Sequence, residues 1–147
     1  MNGLSKINKY YDRSFWANPF TLYLKWLLNK TKYQLKYWGA HLRIDYKAQV
    51  YNTVFGKYNY VAWYSVVTNS TVGDYTYIAD YCRVDHLTIG KFCSIGPGVR
   101  IAPGKHPVNF ISTHPSTYNN QQNLLRNFVD DNNYVTFAPV TDRKSVV

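Results

Sequence analysis

From residue 38 onward the apolar positions of this chain recur in steps of six, six and five. The leading positions are Trp38, Ile44, Val50; Phe55, Val61, Val67; Val72, Ile78, Val84; Ile89, Ile95 and Ile101. All twelve are apolar in a chain that is 46% hydrophobic, a run that chance would produce roughly once in ten thousand. The second position of each step is mostly small or acidic, as at Gly56, Ala62, Gly73, Ala79, Asp85 and Gly90. The fifth is mostly small: Ala48, Ser65, Thr71, Thr76, Cys82, Thr88, Cys93 and Val99. Three columns in phase define a seventeen-residue repeat running four times between Trp38 and Lys105.

A six-residue step with one large and one small inward side chain describes a triangular coil with three short strands per turn. Stacked turns then pair in parallel, and like residues pack in columns. The expected fold is an all-β parallel β-helix of about four coils over residues 38–105. Cys82 and Cys93 fall in the small inward column, which reads as core packing and not as a disulfide framework or zinc site.

The period is missing on either side. Residues 1–37 form an expected N-terminal helical cap: Asn18 precedes Pro19, a capping residue with proline at the first helical position. Phe20, Tyr23, Leu24, Leu27, Thr31 and Leu35 then share a face at helical spacing, expected to plug the lower end of the coil. Lysines mixed with aromatics on this segment also suit peripheral contact with a membrane surface. Residues 106–144 have no period and include the polar run Asn119–Asn133; an aperiodic stretch of this length in a repeat protein is either a functional excursion or disordered. Residues 145–147 read as the start of a further coil, cut short.

At 147 residues the chain is one domain, and the fifteen tyrosines among its aromatics favour strands. A net charge of +9 suits a solubilising surface with no specific partner as well as nucleic acid, a phosphate-bearing cofactor or an anionic membrane. No nucleic-acid motif accompanies it, so nucleic acid is not the expected partner. The run Phe20–Leu28 is too short to span a bilayer and contains Lys25, leaving the cytoplasm as the expected location.

The pattern [Leu/Ile/Val]-[Gly/Ala/Glu/Asp]-x-x-[Ser/Thr/Ala/Val]-x resembles the hexapeptide repeat of the left-handed β-helix acyltransferases. The stretch from Ile89 to Pro107, "IGKFCSIGPGVRIAPGKHP", is similar to their xenobiotic and sugar O-acetyltransferase branch. The resemblance implies a left-handed coil, acetyl-CoA as co-substrate, and no metal. It also implies a homotrimer with active sites between subunits, and a loop that leaves the coil after the catalytic histidine to build the acceptor site. The implied reaction moves acetyl from acetyl-CoA to a hydroxyl of a sugar, such as a surface-polysaccharide precursor. A xenobiotic hydroxyl is the second choice of acceptor, and a truncated, non-catalytic remnant is the competing reading.

Acetyl transfer to a hydroxyl needs a base for the acceptor proton and a donor for the oxyanion. Histidine titrates near working pH. His106 falls on the family's catalytic histidine, and Pro107 restrains its backbone away from the helical region. His114 is expected to line the acceptor pocket or to fix the loop, and Tyr118 to bind the acceptor. His86 lies seventeen residues before Pro103, which places Asp85 and His86 one turn beneath the exit corner, with Asp85 able to orient an imidazole. A zinc site of the γ-carbonic-anhydrase kind, built from His86, His106 and His114, is disfavoured by the spacing of the two His-Pro pairs.

Overall fold

The computed structural model describes residues 17–120 and 127–142. The predicted start of a further coil at residues 145–147 lies outside them, as does most of the chain ahead of the first helix. The described residues between 104 and 138 belong to a compact unit distinct from that of the coil.

The coil is a parallel β-solenoid of about three turns. Its first turn is β1 (Arg43–Ile44), β2 (Gln49–Tyr51) and β3 (Val54–Phe55). The second is β4 (Tyr60–Val61), β5 (Val66–Thr68) and β6 (Thr71–Val72). The third is β7 (Tyr77–Ile78), β8 (Arg83–Asp85) and β9 (Leu87–Ile89). Beyond it β10 (Ser94–Ile95) and β11 (Arg100–Ile101) begin another turn, and β12 (Val140–Thr141) supplies its third side. Strands seventeen residues apart pair in parallel: β1-β4-β7-β10, β2-β5-β8-β11 and β3-β6-β9-β12 form the three walls.

The apolar column is the core. Ile44, Val50, Phe55, Val61, Val67, Val72, Ile78, Val84, Ile89 and Ile95 are buried, and Ile101 packs against them. Trp38 departs from the prediction: it lies in a short 3-10 turn (Trp38–Ala40), is 79% exposed, and is no part of the core. The helix end occupies that place, so the coil starts one side later, at β1. It also resumes earlier than predicted, at Val140, where β12 pairs with β9.

The small column needs a second correction. On the five-residue side the buried residues are Thr53, Ser70 and Leu87, while Val54, Thr71 and Thr88 point outward. Alternation along a strand explains it: the inward small residue sits two before the next apolar residue, so it is counted back from that residue and not forward from the last. Its polar members join successive turns. Ser65 Oγ donates to Ala79 O (2.6 Å) and accepts from Cys82 N (3.0 Å). Thr76 Oγ1 does the same with Gly90 O (2.9 Å) and Cys93 N (3.1 Å). Cys82 is buried in this column as expected, and Cys93 packs against it half-buried.

Every corner of the coil turns through a residue with positive φ, and nearly all are not glycine. His41, Tyr58, Tyr75 and Phe92 occupy one edge at φ 55 to 57, with neighbouring rings stacked 4.9 to 5.0 Å apart. Tyr64 and Tyr81 stack on a second edge at 5.3 Å. On the third edge Asn52 donates to Asn69 (2.9 Å). Left-handed backbone costs a non-glycine residue about 1–2 kcal/mol. The ring stacks and side-chain amide bonds offset part of that cost.

α1 (Pro19–Lys36) begins as predicted: Asn18 caps it by accepting from Thr21 N at 3.0 Å, and Pro19 is the first helical residue. Its packed face is not the predicted one. Tyr33 is buried, and Trp26 meets Tyr46 edge-on at 5.2 Å, whereas Phe20, Leu24, Leu27 and Leu35 face solvent. The first turn of a parallel coil has an unpaired edge whose N–H groups need acceptors. Tyr33 Oη accepts from Thr53 N (3.3 Å) and Tyr37 Oη from Phe55 N (3.2 Å). Leucine has no atom for that task, so the tyrosines turn inward and the leucines outward.

Candidate active site

The excursion is built around Tyr118, which is wholly buried. Tyr134 and Phe110 meet its ring edge-on, with centroids 5.6 and 6.3 Å away. The backbone closes around this cluster: Lys105 N donates to Thr136 O (2.7 Å), Asn133 N to Tyr118 O (2.9 Å) and Phe128 N to Ser116 O (2.8 Å). Pro107 is buried beside exposed His106, which fixes the backbone while leaving the imidazole at the surface.

His106 Nδ1 lies 2.7 Å from Tyr118 Oη. A phenol both donates and accepts, so it fits either neutral tautomer. In the tautomer that serves as a base, Nδ1–H donates to Tyr118 and the lone pair of Nε2 is left for a substrate proton. The bond also fixes the ring plane, 78° from that of Tyr118. Tyr118 therefore holds the imidazole of His106 and, being wholly buried, does not line an acceptor pocket, contrary to the expectation from the sequence.

His114 does something different with the same His-Pro sequence. It caps a short 3-10 turn (Pro115–Thr117), where its Nδ1 accepts from Ser116 N (3.3 Å) and meets Ser116 Oγ at 2.7 Å. A backbone N–H only donates, so this Nδ1 carries no proton in the neutral ring. His114 Nδ1 is thus engaged within its own turn, by Ser116, and the side chain's part in the excursion is to cap it.

Asp85 and His86 belong to the coil. Asp85 Oδ1 accepts from Thr68 Oγ1 (2.7 Å), Asn69 Nδ2 (3.0 Å) and His86 N (3.1 Å), and lies 3.0 Å from His86 Nδ1. Burial alone would push this carboxyl up, but the bonds from Thr68, Asn69 and His86 outweigh it and hold it below its ordinary value. The imidazole that Asp85 contacts is that of its own neighbour. His86 continues the asparagine edge, with φ 47.

Sequence reasoning missed two features. Arg83 and Arg100 are directly opposed on β8 and β11, both exposed, and with Thr68 and Asp85 they line a hollow of about 350 Å³. Like charges in register repel, and among the described residues neither guanidinium has a carboxylate partner. Their seventeen-residue spacing is a signal the repeat alignment contained. The second feature is the Phe110–Tyr118–Tyr134 cluster, which unites residues with no common period and left no such signal. A separate hollow of about 550 Å³ lies between α1 and the coil, walled by Tyr23, Trp26, Tyr46 and Tyr64 with Lys25 and Lys47.

Among the described residues no group of three or more His, Cys, Asp or Glu side chains is placed to hold a metal ion. No helix among them is long and apolar enough to cross a membrane. The chain matches no protein-family model, no curated protein and no solved structure.

Proposed function

We propose that this chain is an acetyl-CoA-dependent O-acetyltransferase with His106 as general base and a sugar hydroxyl as acceptor. The observation that carries the reading is an exposed imidazole whose Nδ1 is held at 2.7 Å by a fully buried tyrosine. The contact satisfies the buried phenol and at the same time orients the imidazole, which is what a positioned base requires. The parallel solenoid and the long excursion after "GKHP" support it further, through the resemblance to the hexapeptide acyltransferases.

In this scheme His106 Nε2 takes the proton of the acceptor hydroxyl as its oxygen attacks the thioester carbonyl. The C–O bond forms, the C–S bond breaks, and His106 returns the proton to the departing thiolate. The products are the acetyl ester and coenzyme A, with no covalent enzyme intermediate. The opposed Arg83 and Arg100 are a separate feature of the coil, suited by their charge to an anionic group. The branch's trimeric assembly, with sites between subunits, is part of the same proposal.

The test is thiol release from acetyl-CoA in the presence of a panel of sugar and xenobiotic alcohols. We expect acceptor-dependent release that falls by about 10²–10⁴-fold in His106→Ala, with the circular dichroism spectrum retained. Release that no alcohol raises above the hydrolysis background would reject acetyl transfer, and full activity in His106→Ala would reject the base.

A further inference from the structure

α1 has two apolar sides. One packs on the coil through Trp26 and Tyr33, as described above. The other carries Phe20, Leu24, Leu27, Leu28 and Leu35, which are 88%, 55%, 39%, 63% and 64% exposed. At helical spacing these five form one stripe roughly 100° wide, about half a turn away from the packed side. Trp38, 79% exposed, follows directly at the helix's C-terminal end. A stripe of this size without a partner is uncommon on a protein surface and marks a contact face.

The charges on the helix identify its partner. From Pro19 to Lys36 there are four lysines and no Asp or Glu. Lys30 lies over the Trp26 ring, 5.2 Å from its centroid. Lys25, Lys32 and Lys36 fall together along one border of the leucine stripe, as the helical spacing requires. A second copy of this helix would bring two sets of lysines together with no carboxylate on either helix. An anionic bilayer satisfies both parts, since acyl chains accept the leucines and phosphates accept the lysines. Phe20 and Trp38, near the two ends of the helix, are residues that suit the headgroup boundary.

We propose that α1 lies flat on an anionic phospholipid surface, with the Phe20–Leu35 stripe buried in it and Lys25, Lys32 and Lys36 among the headgroups. The inference is independent of acetyl transfer, because none of these residues belongs to the excursion around His106.

The experiment is co-sedimentation of the full chain with vesicles of phosphatidylcholine, alone or mixed with phosphatidylglycerol. Binding is expected on the mixed vesicles and to weaken as salt is raised. Replacing Leu24 and Leu28 together by Glu should lower the affinity by at least about tenfold. These side chains are exposed, so the melting temperature should not change. Each of Lys32→Gln and Lys36→Gln should cost about fivefold on anionic vesicles and nothing on neutral ones. Failure to bind mixed vesicles would overturn the proposal, as would equal binding by the doubly substituted chain. So would an oligomer, measured by light scattering, that the Leu24→Glu/Leu28→Glu change dissolves. That result would assign the stripe to a second copy.

Discussion

Tyr118 concentrates the chemistry of the excursion in one hydroxyl. Its ring is the buried centre of the aromatic cluster and its oxygen is the partner of His106. Tyr118→Phe keeps the ring and removes the oxygen, so the fold survives while the imidazole loses its orientation and its preferred tautomer. If His106 is the base, kcat should drop by about tenfold, and the pH profile of kcat/KM should move with it. A change in melting temperature without a change in that profile would leave Tyr118 a packing residue only. The residue scale also shows what a motif does not determine. "KHP" and "THP" look alike, yet one histidine faces a buried phenol and the other caps a turn. What separates them is Tyr118, twelve residues from His106 across an aperiodic stretch.

At the scale of the elements, the coil's edges set left-handed backbone against stacked side chains. Tyr58, at φ 57 between His41 and Tyr75, experiences both. Removing its ring forfeits two stacks, but only glycine also relieves the backbone. Tyr58→Gly should therefore be more stable than Tyr58→Ala by about 1 kcal/mol in urea denaturation, the reverse of their order inside a helix. The walls of the coil were legible in the sequence because parallel stacking repeats the same burial every turn, so ten of the twelve predicted apolar positions are buried. The edges were not legible, since Tyr, Asn and Phe in left-handed backbone look like ordinary exposed residues. The helix was legible in its cap and its extent but not in its orientation. Apolar periodicity found the leucines, whereas the open strand edge required the phenol oxygens of Tyr33 and Tyr37.

For the molecule as a whole, seventeen Lys and Arg against eight Asp and Glu make carboxylates scarce, and several are bound into the coil. Asp45, which burial would push up, is instead held low by Tyr60 and Arg43, and Asp85 is held low by Thr68 and Asn69. A carboxyl depressed in the native state binds fewer protons there than when unfolded, so its contribution is complete above its unfolded value, about 3.9, and is lost as pH falls through the native one. Urea melts should show stability level above about pH 5 and falling below about pH 4, less steeply in Asp85→Asn. The candidate site was legible only in part: His106 stands in the stretch that carries the resemblance, Tyr118 stood out only as a polar residue of the excursion, and Tyr134 and Phe110 are joined to them by folding alone. The interruption of the coil has one more consequence. Strands β1 to β11 each meet a neighbour seventeen residues away, but β12 reaches Leu87 across roughly three times that length of chain. Closing the longer loop costs about 1 kcal/mol more. The last strand, β12, is therefore the most weakly held in the solenoid, and thermal opening is expected to begin with Val140 and Thr141 while the turns beneath remain wound.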